Sequence, residues 1–207
     1  MTLAASLHAY VERQIAQIVP GFSNPIVLPR LAVEQALERI QRNVSRQIGG
    51  ERGFDPLVSG QYATFLYYLS YALRDDRKAA THVFLLNKAL NGIDLFFDVV
   101  MPDHLLIGHT VGMVFAKADY GDFCVFHQGC TVGRILDDRP VLGEGVVVYP
   151  GAAIIGRCRI GENTVVSAGV QVINKDTPGN CIVFAGQDGR LVFKHITERF
   201  SARYYHL

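Results

Sequence analysis

The sequence predicts an α+β protein: a helical first half, then a three-sided parallel β-solenoid of hexapeptide repeats. Three observations carry this. Apolar residues recur at three- and four-residue steps as far as Gly92. Beyond it, Leu142, Val148, Ile154, Ile160, Val166 and Val172 are spaced by six. Four residues after these anchors lie Val146, Ala152, Cys158, Thr164 and Val170, which are mostly small. A helix repeats at 3.6 residues and a strand at 2, so neither gives six. A solenoid does, with six residues to each flat face and three faces to a coil.

In the first half, Leu3, Leu7, Tyr10, Val11, Ile15 and Ile18 form one helical stripe, ended by Pro20-Gly21. After a proline-rich loop, Leu37, Ile40, Val44 and Ile48 mark a second helix that stops at Gly49-Gly50. Ser59 is the expected N-cap of a third, which carries Phe65, Leu66, Leu69 and Leu73 with tyrosines all round it. A helix apolar on every side is buried on every side. A fourth runs from about Arg77 to Leu90 and closes at Asn91-Gly92.

Upstream of Leu142, the six-step continues through Tyr120, Phe126 and Val132, with Cys124 and Cys130 in the plus-four slot. The anchors should stack inside the coil, and the plus-four residues should fill its corners, where only small side chains fit. Cys124, Cys130 and Cys158 then serve as small hydrophobes. Residues 93–185 make about four to five coils, a prism only ~20–25 Å tall at the strand spacing. Ten residues rather than six separate Val132 from Leu142. The excess, around Arg134–Pro140, reads as a corner loop. The expected division is 1–92 helical, a unit for oligomerisation, 93–185 solenoid and 186–207 tail.

The chain has 207 residues, enough to bury a core without staples. Lys plus Arg is 20 and Asp plus Glu is 19, a net charge of +1 with no basic run. That argues against nucleic acid as a partner. Apolar residues at 49% and charged residues at 19% suggest that part of the surface is covered by other subunits. A homotrimer through the prisms is expected, possibly a dimer of trimers through the helices. No apolar run approaches the ~18–20 residues of a membrane span, and no export signal stands at the N-terminus. A cytoplasmic location with reduced cysteines is therefore expected. No CxxC pair supports a metal or redox motif.

The stretch from Ile93 to Val192 resembles the catalytic domain of the serine O-acetyltransferases, in the left-handed β-helix acyltransferase superfamily. His127–Gly133, HQGCTVG, is similar to that family's HQGVTLGG segment. Ala185–Val192, AGQDGRLV, is similar to its closing AGVPARIV. The resemblance implies a left-handed parallel β-helix that uses acetyl-CoA as co-substrate and needs no metal. In the family, a histidine opening an H-x-T-G segment is the general base, paired with an aspartate fifteen residues earlier. His109-Thr110-Val111-Gly112 fills the first role and Asp94 the second, without a gap. The chemistry has a reason: acetyl transfer to an alcohol needs the hydroxyl proton removed during attack. Histidine titrates near neutral pH, and a carboxylate on its other nitrogen fixes the tautomer.

By the same resemblance, coenzyme A lies in a groove between prisms, beside Gly151, Ala152, Ser167, Ala168 and Gly169. Arg190 and Lys194 are candidates for its phosphates. Asp55, Arg139 and His127 are candidates for the acceptor site. Two family groups are absent. The corner loop reads Asp138-Arg139-Pro140 without the family's histidine, and Gly108 stands where the family has Asp before the base. The acceptor is thus open between serine and a sugar or surface-polysaccharide unit. Two other readings use the same coil: a zinc γ-carbonic-anhydrase-like centre on His104, His109 and His127, and a non-catalytic structural solenoid.

Overall fold

The computed structural model describes residues 2–21 and 24–207. The helical part comprises α1 (Leu3–Ile18), α2 (Arg30–Ser45), α3 (Ser59–Ala72) and α4 (Arg77–Asn91). The strands then follow: β1 (Ile93–Leu95), β2 (Leu105–Gly108), β3 (Met113–Phe115), β4 (Asp119–Tyr120), β5 (Cys124–His127), β6 (Thr131–Gly133) and β7 (Val141–Leu142). After them come β8 (Val147–Val148), β9 (Ala153–Ile155), β10 (Arg159–Ile160), β11 (Thr164–Val166), β12 (Gln171–Ile173), β13 (Cys181–Ala185) and β14 (Leu191–His195).

These strands form three walls. The first stacks β1-β3-β6-β9-β12, the second β4-β7-β10 and the third β2-β5-β8-β11-β13, all parallel. Each pass of the chain around the prism visits third, first and second wall in turn. The hexad explains it. Val148, Ile154, Val166 and Val172 are completely buried, and so are Val146, Ala152 and Thr164 in the plus-four slot. Cys124, Cys130 and Cys158 are buried there too, each thiol donating to carbonyl oxygens of the coil. Burial pushes the Cys124 thiol up to about 12 and that of Cys130 to about 11, which keeps both protonated and unreactive. All four cysteines are free.

The helical part is docked directly on the first coil. Its α3 is buried from Tyr62 to Ser70, between α2, α4 and the solenoid. The Tyr67 hydroxyl donates to Val99 O and accepts from Met101 N. Asn43 of α2, fully buried, donates to Leu105 O and accepts from Leu105 N. Arg39 donates to Met101 O and stacks on Tyr68. Gly60 permits the closest approach: a Cβ there would stand 2.1 Å from Ile107 O. Buried polar groups are thus paired across the junction, which ties the two parts into one unit.

Two helix ends differ from expectation. Val58 is the N-cap of α3, and Ser59 is its first helical residue. The helix α2 stops at Ser45, so Ile48 lies outside it and about half exposed. The chain there is diverted: Ile48 N donates to Tyr204 O, and Gln47 bridges Tyr205.

That diversion meets the C-terminal segment. β14 returns antiparallel on β13, and the chain then runs down the outside of the third wall. Phe200 and Tyr205 bury themselves against Val125, Val147 and Val165, a column of outward valines one residue before the anchors. The Tyr205 hydroxyl donates to Cys124 O at 2.9 Å, and His206 N to Arg46 O. The segment from Ile196 to Tyr205 is therefore packed along the solenoid, while the preceding turn and most of β14 stay exposed. Among the described residues, no helix is long and apolar enough to cross a membrane.

Candidate active site

The corner joining third to first wall carries most of the candidates. Register stacks Gly108, His127, Tyr149 and Ser167 in one column. Beside it run the corner residues proper. Gly129, Gly151 and Gly169 are all left-handed, each N–H bonded to the corner below: to Val111 O, Gln128 O and Pro150 O. Only glycine adopts this conformation without strain. Nothing lies within 4 Å of where a Cβ would be on Gly151 or Gly169. This edge of the prism is a smooth, open track of backbone.

The lowest corner breaks the pattern. Five residues separate Gly108 from Val114, whereas three separate their stacked partners His127 and Thr131. The two extra residues loop out, and His109 at the loop's start is left-handed with φ 59°. A non-glycine residue there carries ~1–3 kcal/mol of backbone strain. Its side chain is exposed and lines a cleft of about 280 Å³ between the coil and the start of α3. The other walls of that cleft come from Ile40, Gln47, Ser59, Gln61, Thr64 and Leu106, among others.

His127 stands directly above. Its ring stacks on Tyr149, 5.1 Å between centroids and 4° from parallel, and Tyr204 of the C-terminal segment approaches its Nε2 at 3.4 Å. Burial, and secondarily the charge of His109, hold its pKa below the usual histidine value. Sequence reasoning did not find Tyr149 and Tyr204. The signal for Tyr149 was an aromatic in a slot otherwise filled by Gly143, Ile155, Gly161 and Ser167.

The expected His109–Asp94 contact is not made in this chain. Asp94 faces outward on β1, and its carboxylate takes the Lys88 ammonium at 2.6 Å. Lys88, in the last turn of α4, reaches it first. Among the described residues, the His109 ring makes no hydrogen bond. Within the solenoid, a carboxylate that does hold an imidazole is Asp122, on His104 Nδ1 at 2.8 Å. That pair sits at the corner between second and third wall, where His104 also stacks on Phe123. The three histidines of the zinc reading are therefore not gathered in one chain. No group of three or more metal-ligating side chains occurs among the described residues.

Ala152 needs correcting as a coenzyme contact. Its side chain points inside the coil and is completely buried. Its N–H goes to Tyr149 O, and its carbonyl accepts from Thr131 N. Gly151, Ser167, Ala168 and Gly169 do lie on the open corner. Arg190 lies in the Gly186–Arg190 turn, where β13 runs on past the level at which β11 bends into its corner. This turn overhangs the top of the glycine track, with Arg190 exposed beside Asp188. Lys194 is exposed on β14, opposite Ile182. Asp55 closes a turn onto Leu57 N, and its own N–H donates to Gln61 of the cleft. Arg139 lies in the exposed loop after β6, pinched by the Ile135–Asp138 bridge. That loop joins first to second wall, so it occupies a different edge of the prism from His109.

A family model described as bacterial transferase hexapeptide (six repeats) matches residues 139–174. The serine acetyltransferase of Synechococcus elongatus is 31% identical over 147 residues, covering 69% of this chain and 57% of that protein. The chain is a divergent relative of the serine acetyltransferases. It spans about half the length of the first three curated relatives it matches, 57%, 47% and 47%. Solved structures share its fold over nearly the whole chain. The serine complex of the Neisseria gonorrhoeae serine acetyltransferase superposes with TM-score 0.70 at 21% identity, covering 93% of this chain and 84% of that one. The coenzyme A complex of the Brucella abortus enzyme gives 0.69 at 21% identity, covering 94% and 83%.

Proposed function

We propose that this chain is an acetyl-CoA-dependent O-acetyltransferase acting on the hydroxyl of a small acceptor. The observation that carries the reading is His109. It is a strained, exposed imidazole at the foot of an open glycine track, facing a cleft large enough for a small molecule. The relatives' names and the coenzyme A and serine complexes of the structural neighbours support the same chemistry.

In this reading, the acceptor hydroxyl gives its proton to the His109 imidazole as its oxygen attacks the thioester carbonyl. The carbon–sulfur bond then breaks, and the proton passes from the imidazolium to the departing thiolate. The products are the acetyl ester and the free coenzyme thiol. Gly151, Ser167, Ala168 and Gly169 flank the pantetheine arm, and Arg190 and Lys194 receive phosphates. Asp94 orients His109 only after exchanging Lys88 for the imidazole, and Asp55 and His127 border the acceptor.

The assembly proposed is a cytoplasmic homotrimer, with pairing of trimers through the helices. The first wall supports it. Outward on that wall, Val114, Ala153, Ile155 and Ile173 form a face whose one charge is Asp94. Arg139 reaches an acceptor only from a neighbouring prism, since within one chain its loop is on another edge. Four free, buried cysteines fit a reducing compartment.

The test is thiol release from acetyl-CoA with a panel of hydroxyl acceptors. Release that depends on both acceptor and His109 supports the reading. Absence of acetyl-CoA binding to the assembled protein refutes it.

A further inference from the structure

The acetyl-transfer reading leaves the acceptor open, and the cleft lining narrows it. Resting on that reading, we propose that the cleft takes an uncharged hydroxyl compound, such as a polyol or sugar unit, and discriminates against a zwitterionic amino acid. Among the described residues lining it, His109 is the one titratable side chain. The polar lining is neutral and already half committed. Gln61 uses its carbonyl oxygen on Asp55 N, which leaves its amide hydrogens free to donate. Gln47 uses its amide nitrogen on Asn43 and Leu105 O, which leaves its carbonyl oxygen to accept. Among the described residues, the Ser59 hydroxyl has no hydrogen-bond partner. Thr64 donates its hydroxyl to Gly60 O, and the remaining donors, acceptors and free hydroxyl suit neighbouring hydroxyl groups.

A free amino acid would bring an ammonium and a carboxylate into the same space. Within one chain the lining supplies no partner for either, and Arg139 from a neighbouring prism would answer the carboxylate alone and leave the ammonium unpaired. A charge taken from water without a partner is disfavoured far more than a hydroxyl that finds one. Asp55, the nearest acid in sequence, turns its carboxylate back onto its own loop at Leu57 N. Gly108 leaves the floor between the two histidines bare. A Cβ there would lie in ordinary contact, 3.4 Å from His127 Nδ1 and 3.6 Å from Leu106. The position therefore has room for a side chain and no charge is placed in it.

The experiment compares two acceptors with the same reacting hydroxyl, L-serine and its neutral derivative N-acetyl-L-serinamide. Coenzyme thiol release by the assembled protein is read, with methyl α-D-glucopyranoside as a third acceptor. The expected result is a kcat/KM for the neutral acceptors at least ~10-fold above that for L-serine, the factor that about 1.4 kcal/mol of differential binding produces. Gly108→Asp should shrink the ratio, and Gly108→Ala should keep it. L-serine turned over as well as or better than the neutral acceptors overturns the proposal and leaves the acetyl-transfer reading standing. No thiol release with any of the three also overturns it. Titration with acetyl-CoA then separates the two failures: bound coenzyme preserves the acetyl-transfer reading, and no binding removes both.

Discussion

The corner that holds His109 and the three corners stacked above it share one wall register and a left-handed glycine, Gly112 below and Gly129, Gly151 and Gly169 above, and differ in length, side chains and cover. The upper corners are three residues long, turn on left-handed glycines and expose backbone. The lowest has two more residues, places a histidine in the left-handed region and is roofed by α2 and α3. The repeat thus makes a rail, and its irregularity makes a reactive end to the rail. Backbone strain is affordable there because the helices over-determine the first coil, through Asn43, Arg39 and Tyr67.

The largest expected effect tests the irregular corner. His109→Asn keeps a side chain of similar shape and removes the base. Turnover should fall by ~10²–10⁴, with thermal unfolding near the wild type. A loss under tenfold would mean that the exposed imidazole is ornamental and that the upper corners alone carry the function. The next effect tests the rail. Gly169→Val puts a branched side chain on the open track at φ 72°. The acetyl-CoA KM should rise ~10-fold, the factor that about 1.4 kcal/mol of lost binding produces. Gly49→Val is the control, since Gly49 also has φ 83° with nothing within 4 Å. It bears similar backbone strain away from the track. Both variants should melt earlier, and only the first should change KM. Equal KM values would show that coenzyme binds elsewhere.

What the sequence made legible follows the same division. Interior positions repeat, so period six marked the anchors, the small slot and the packing role of the cysteines before any coordinates. The helical part was readable from its stripes, apart from end effects such as Val58 capping α3 in place of Ser59. Side-chain competition was not readable. The resemblance paired Asp94 with His109, fifteen residues or just under one coil later, yet nothing in it says that Lys88 would claim the carboxylate. Ala152 stood among the coenzyme contacts because the resemblance matches its coil to the family's, although its own hexad slot points it inward. The C-terminal segment has no period at all. Its one advance notice was the column Val125, Val147 and Val165, outward valines that needed a cover.

A third, smaller effect weighs that cover. The Tyr205 hydroxyl, buried, donates to Cys124 O on the second coil. Tyr205→Phe should cost about 1–2 kcal/mol of stability by leaving that carbonyl one partner short. It should leave the glycine track, on the neighbouring corner, with an unchanged acetyl-CoA KM. A KM that moves with stability would join the C-terminal segment to the rail rather than to the wall.

The smallest effect lies where the two kinds of corner meet, at His127. Its pKa is lowered in the folded protein, first by burial and then by the charge of His109. The unfolded chain therefore binds the proton more readily than the native one, and stability rises with pH through the window between the two values. The contribution is complete above the ordinary histidine value of ~6.5 and is lost as pH falls towards the lowered one. His127→Gln removes the titrating group, so the melting temperature of the variant should fall less than that of the wild type between neutral and mildly acidic pH. In His109→Asn the neighbouring charge is gone while burial remains. The wild-type slope should then shrink without vanishing, because the larger cause of the shift is intact. If it vanished, the charge of the lower corner, not the packing of the upper one, would be what keeps His127 neutral.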